Sequence, residues 1–116
     1  MSEKTVIFAF NGEPMCFGHA LMNVLDMDER GFECKMVIEG TATGLTKELT
    51  DPSRMFASEY AKVKEKGLID CVCQACSSAT GSLDEVKEQG LPLCKEMRGH
   101  PSVGRYLGEG YTVLVF

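Results

Sequence analysis

The sequence has no excess of positive charge, no membrane-length apolar run, no secretory leader pattern and no repeat, linker or low-complexity tract. Its 12 lysines and arginines are outnumbered by 17 aspartates and glutamates, giving a formal charge of −5, and the basic residues are scattered. Phosphate backbones demand a concentrated cationic face, so nucleic acid is not expected as a partner. The opening apolar run, Val6 to Phe10, is interrupted by Asn11-Gly12-Glu13. It falls far below the roughly 20 residues of a membrane span. It also lacks the basic flank and small-residue cleavage site of a secretory signal, so no membrane association and a cytoplasmic location are expected.

What is present is ordinary globular composition. Apolar residues make up 44% of the chain and charged residues 25%, which leaves no reason to expect disorder. A chain of 116 residues buries enough surface for one core, and residues 1–116 read as a single domain.

Hydrophobic periodicity sets out the elements. Thr5 to Phe10 is a buried strand ended by the Asn11-Gly12 turn. From Cys16 to Arg30, Phe17, Ala20, Leu21, Val24 and Leu25 follow the i, i+3, i+4 spacing of an amphipathic helix, and Gly31 stops it. Cys34 to Glu39 is a second strand. Strand, helix and strand form a right-handed βαβ unit with parallel strands. A short helix is predicted from Thr43 to Leu49, followed by Asp51-Pro52 as N-cap and first residue of a helix. That helix carries Phe56, Tyr60 and Val63 on one face and ends among Lys62, Lys64 and Lys66. Leu68 to Cys73 is a third strand, Ser82-Leu83-Asp84-Glu85 has capping-box spacing, and Leu91 to Cys94 fits a short edge strand. Pro101 to Leu107 reads as helical and Tyr111 to Phe116 as a final buried strand. The fold class predicted is α/β: three layers, a mostly parallel sheet and helices on both faces.

The six cysteines, at 16, 34, 71, 73, 76 and 94, belong in a reducing compartment on this reading. Closely spaced thiols there point to catalysis, redox chemistry or metal more than to structural disulfides. The densest group is Cys71-Val72-Cys73-Gln74-Ala75-Cys76, at the carboxyl end of the third strand. Such strand ends collect ligands and reacting groups in open parallel sheets. A following helix would favour the thiolate of Cys73 or Cys76. Cys71 reads as a small buried hydrophobe. Cys16 is either a second reactive thiol or, more simply, a helix-start core residue. Zinc is the rival use of the same thiols, with Cys71, Cys73 and Cys76 completed by Cys94, His19 or His100, although no second Cys-x-x-Cys accompanies them. A thioredoxin-type exchanger would need an earlier motif and a facing cis-proline, for which Pro92 is only a distant candidate. His19 reads as a surface or pocket-wall residue and His100 as a cap to the last helix. No nucleotide loop is present, and no cofactor is expected.

The element order, Cys73-x-x-Cys76-x4-Gly81, and the tail Gly99-His100-Pro101-Ser102 followed by Glu109-Gly110-Tyr111 and a strand ending in Phe116 resemble the DsrE/DsrF-like superfamily. It includes the sulfur-relay proteins of the TusBCD and DsrEFH complexes and small YchN-like homologues. The resemblance implies a flavodoxin-like fold, assembly into trimers or hexamers, and sulfur donor and acceptor proteins as partners. It further implies that Cys73 carries sulfur as a persulfide while Cys76 supplies a second thiol. Thr80 departs from the pattern, because relay subunits typically show a basic residue before the glycine. The alternative function is a non-catalytic oligomeric module binding a small ligand or protein. Oligomerisation is also expected from the residues, since Met15, Phe17, Met55, Phe56 and the apolar last strand exceed what one small sheet needs to cover it.

Overall fold

The computed structural model describes residues 3–116. Five strands form one all-parallel sheet in the order β4-β3-β2-β1-β5. They are β1 (Lys4–Ala9), β2 (Glu33–Ile38), β3 (Ile69–Cys73), β4 (Leu93–Cys94) and β5 (Thr112–Val115). The helices are α1 (Pro14–Glu29), α2 (Leu45–Glu48), α3 (Ala57–Glu65), α4 (Gln74–Ala79), α5 (Leu83–Glu88) and α6 (Val103–Gly108), with a 3-10 turn at Gly40–Gly44 before α2. This is the three-layer, flavodoxin-like α/β arrangement. No helix among the described residues is long and apolar enough to cross a membrane.

Alternation along the strands sends successive side chains to opposite faces. Ile7, Ala9, Met36, Ile38 and Val72 meet Phe17, Leu21, Val24, Tyr60, Val63 and Val86 in the larger core, beneath α1, α3 and α5. Val6, Phe8, Val37, Cys71 and Cys94 meet Tyr106 and Tyr111 in a smaller one. The second face is thin, with Tyr106 of α6 packed edge-on against both Phe8 and Tyr111 at ring separations of 5.5 and 6.0 Å.

Several local expectations are corrected. Asp51-Pro52 does not start a helix, because the Asp51 carboxylate accepts from the N–H and hydroxyl of Ser53 in a local turn. α3 instead begins after Phe56, whose φ of 70° is left-handed and whose ring packs onto the larger core. α5 does start directly after Ser82, as the spacing predicts, but the Ser82 hydroxyl bonds Thr80 and the Ser77 carbonyl instead of capping a backbone N–H. The last strand is not buried. Among the described residues β5 is an edge strand paired only to β1, with Leu114 and Val115 exposed. Phe17 and Phe56 lie in or against the core, leaving Met15 and Met55 as the exposed members of that apolar set.

Candidate functional site

β3 ends at Cys73 and passes directly into α4, with Cys73 as N-cap. Its sulfur accepts the Cys76 N–H at 3.3 Å. α4 has six residues, too short for a strong helix field, so this one N–H is the local backbone support for a charged sulfur.

The other half of the site arrives from beyond β4. Met97 and His100 exchange backbone hydrogen bonds of 2.9 Å each across a turn whose central residues, Arg98 and Gly99, have φ of 51° and 87°. Positive φ at both central positions is the geometry of the tight hairpin turn. The Gly99 carbonyl accepts the Ala75 N–H at 2.9 Å and lies 3.6 Å from the Cys73 sulfur. A Cβ on Gly99 would stand 3.1 Å from that of Ala75, so glycine suits both the backbone angle and the close approach. The docked turn brings His100 Nδ1 to 3.2 Å from Cys73 Sγ and 3.6 Å from Cys76 Sγ.

His100 is thus not a helix cap. That role belongs to Ser102, which accepts from the Arg105 N–H. The imidazole bridges the two thiols that the Cys-x-x-Cys spacing singled out. Glu39, just past β2, adds a negative charge close enough to act on both His100 and Cys73. Burial pushes the Glu39 carboxyl up, and the charge of His100 works against that shift. Burial also pushes the Cys73 thiol up to about 12, reinforced by its bond to Cys76 and opposed by the Cys76 N–H. Cys73 is fully buried and Cys76 half-buried, so the two sulfurs differ sharply in access.

The remaining cysteines are engaged elsewhere. Cys71 is bonded to Cys94 in a disulfide across β3 and β4, which corrects its reading as a free buried hydrophobe and removes both from a ligand set with Cys73. Cys34 donates to the Val24 carbonyl in the core, and Cys16 sits in the first turn of α1, its N–H capped by Glu13. His19 is exposed on α1. Thr80 joins a hydroxyl chain, 2.8 Å from both Thr43 and Ser82, that ties the end of α4 to the 3-10 turn.

Cys73 Sγ, Cys76 Sγ and a His100 ring nitrogen all lie within 4.8 Å of one another. Tetrahedral zinc places a thiolate sulfur and an imidazole nitrogen about 3.5 Å apart, close to the two sulfur–nitrogen separations here. The three could hold a soft cation with one position left open. A cavity of 570 Å³ lies elsewhere, lined by Lys64, Gln89 and Leu91, and none of these thiols lines it.

No family model matches the chain. It is 32% identical over 96 residues to the uncharacterized protein MJ0733 of Methanocaldococcus jannaschii, a match spanning 83% of this chain and 76% of that one. The chain belongs to the family of that protein. A shorter uncharacterized protein of Archaeoglobus fulgidus is 46% identical over 43 residues, 37% of this chain and 70% of its own length. A second from the same organism is 44% identical over 36 residues, 31% of this chain and 97% of its own. No solved structure matches. The family's relatives carry no activity in their names, so the chemistry of the site has to be argued from its own atoms.

Sequence spacing located Cys73 and Cys76, offered His100 only as one of several residues to complete a zinc set, and missed Glu39. A usable signal existed for each. Glu39-Gly40 closes the strand beside β3 at the same sheet end, and Gly99 next to a histidine marks a turn able to fold back.

Proposed function

We propose that the protein is a cytoplasmic sulfur carrier, and the observation that carries this reading is the convergence of two thiols and one imidazole at the end of β3. The DsrE/DsrF-like resemblance points the same way. Burial supports giving first contact with a donor to Cys76 rather than to Cys73, because a protein-borne persulfide cannot reach a fully buried sulfur. The Cys76 sulfur attacks the outer sulfur of the donor persulfide. A new S–S bond forms on Cys76, and the donor leaves as a thiol with its proton returned. Delivery then follows one of two courses. An acceptor thiol takes the outer sulfur and restores Cys76, or Cys73 attacks Cys76 Sγ, releasing hydrosulfide and leaving a Cys73–Cys76 disulfide. His100 contacts both sulfurs and is placed to take and return the proton in each step.

Incubation with a persulfide donor followed by intact-mass measurement tests the reading. A gain of about 32 Da, one sulfur atom, is expected on the wild type and on Cys73→Ser, where it persists longer, and is lost in Cys76→Ser. No gain on the wild type, or an unchanged gain in Cys76→Ser, sinks it.

The match of the three donor atoms to tetrahedral spacing favours a second reading, a site for zinc or another soft cation. Metal analysis of protein purified without chelator separates the two. Stoichiometric metal that must be stripped before any sulfur is accepted supports the metal site over the carrier.

The carrier reading also brings the expectation that copies of the chain associate, and that donor and acceptor proteins dock at the same sheet end.

A further inference from the structure

Cys71 and Cys94 are joined across β3 and β4, and Cys94 is also the register partner of Cys73 in the same ladder. Residues two apart on a strand share a face, and neighbouring strands lie about 4.8 Å apart. Cys71, Cys94 and Cys73 therefore form a contiguous row on the α6 side, with Cys76 beyond it. Cys71, Cys94 and Cys73 are 5%, 3% and 0% exposed, so Cys76 alone in this row meets solvent to any extent. Tyr106 closes the inner end. Its hydroxyl lies 3.5 Å from Cys71 Sγ, donates to the Asp70 carboxylate, and accepts from Arg105 at 2.9 Å.

We propose that the buried Cys71/Cys94 pair resets the outer pair by internal thiol–disulfide exchange. The proposal rests on the carrier reading for the origin of the Cys73–Cys76 disulfide, which sulfur release leaves behind. The Cys94 sulfur attacks Cys73 Sγ, the Cys73–Cys76 bond breaks, and Cys76 leaves as a thiol. The Cys71 sulfur then attacks Cys94 Sγ, the Cys73–Cys94 bond breaks, and Cys73 leaves as a thiol. Two electrons pass from the inner pair to the outer, two protons follow, and the exchange itself consumes no outside reductant. Each attacking thiol gives up one proton and each leaving sulfur takes one: the Cys94 proton ends on the leaving Cys76 sulfur, and Cys71 gives its proton to the Tyr106 oxygen as Tyr106 passes its own to Asp70. At the outer end His100 Nδ1, in reach of both sulfurs, returns protons to Cys73 and Cys76. The structure holds the final state of this sequence, with the inner pair bonded and the outer pair free.

The test uses the whole chain, fully reduced without oxygen and then exposed to glutathione disulfide, which is too bulky to reach the inner sulfurs. Alkylation at timed intervals and peptide mass mapping read the bonds. Glutathionylated Cys76 and the Cys73–Cys76 disulfide are expected early, and Cys71–Cys94 with alkylated Cys73 and Cys76 at the end. Cys76→Ser slows formation of Cys71–Cys94 by roughly tenfold or more, and Cys94→Ser arrests the protein at Cys73–Cys76. Cys16→Ser, outside the row, leaves the rates unchanged and controls for general thiol loss. Formation of Cys71–Cys94 at the wild-type rate in Cys76→Ser overturns the proposal, as does a Cys73–Cys76 disulfide that persists in the wild type. No sulfur donor enters this experiment, so its failure and a failure of persulfide labelling are separate results.

Discussion

Glu39 is a partly buried carboxylate, and burial raises its proton affinity above the ordinary carboxyl value. The folded protein therefore binds more protons than the unfolded chain between the two values. The associated stability is full below the unfolded value of about 4.3 and is lost as pH rises through the folded one. Glu39→Gln removes that loss. Thermal unfolding should show variant and wild type melting together near pH 4 and the variant melting higher at pH 7. A variant that melts lower at pH 7 would mean that the charge is stabilised in place and the argument is wrong. Such a cost, retained beside an imidazole and two thiols, is what a group held for chemistry looks like. At this scale the sequence was only half legible. Cys73 and Cys76 announce themselves by spacing at a strand end. Glu39 and His100 do not, because glycine beside each marks a strand end or a turn, while the partner each one meets is set by strand order and by the way that turn folds back.

At the scale of elements, the crossing of α1 with the segment before α3 depends on one missing methyl group. A Cβ on Gly18 would stand 2.3 Å from the Phe56 ring, inside any tolerable contact. Phe56 has little freedom to retreat, since its own backbone is left-handed and its ring packs against the larger core. Gly18→Ala should cost about 2 kcal/mol in denaturant unfolding, in the range of overpacked cores. Combining it with Phe56→Leu should give less than the sum of the two single losses, because the substitutions share one space. Full additivity would refute the contact. The periodic elements were legible in the chain, namely α1, the first three strands and the Tyr60–Val63 stripe of α3. What misled was a short polar signal. Asp51-Pro52 has the chemistry of a helix start, but its carboxylate found a nearer partner in Ser53. Ser82-x-x-Glu85 did mark the start of α5, with the Ser82 hydroxyl bonded to Thr80 and the Ser77 carbonyl instead of to a helix N–H. A cap residue bonds whichever donor the surrounding fold places closest, and that is not a local property.

For the whole molecule the open question is what covers its exposed apolar side chains. Met15, Met55, Leu114 and Val115 are 54%, 66%, 40% and 69% exposed, and they occupy two different places, the start of α1 with the loop before α3, and the edge strand β5. Sedimentation at low micromolar concentration is expected to show a species larger than the 12.7 kDa chain. A single monomeric boundary would refute association. Parallel pairing throughout and helices on both faces were readable from the alternation of elements. The position of β5 was not, because an apolar strand reads the same in the middle of a sheet as at its border.

That border has a consequence for how many copies can join. On its free side β5 offers a row of backbone N–H and C=O groups with no strand partner among the described residues, whereas the opposite rim is β4, only two residues long. A sheet with one serviceable rim can be extended by a second copy across a twofold axis, and there it stops, because the far rims of such a pair are too short to recruit a third. Growth by this route is self-limiting at two chains. Any larger ring would have to be built through other surfaces, such as the exposed methionines at the start of α1 and in the loop before α3, leaving each β5 rim either capped by its twin or bare.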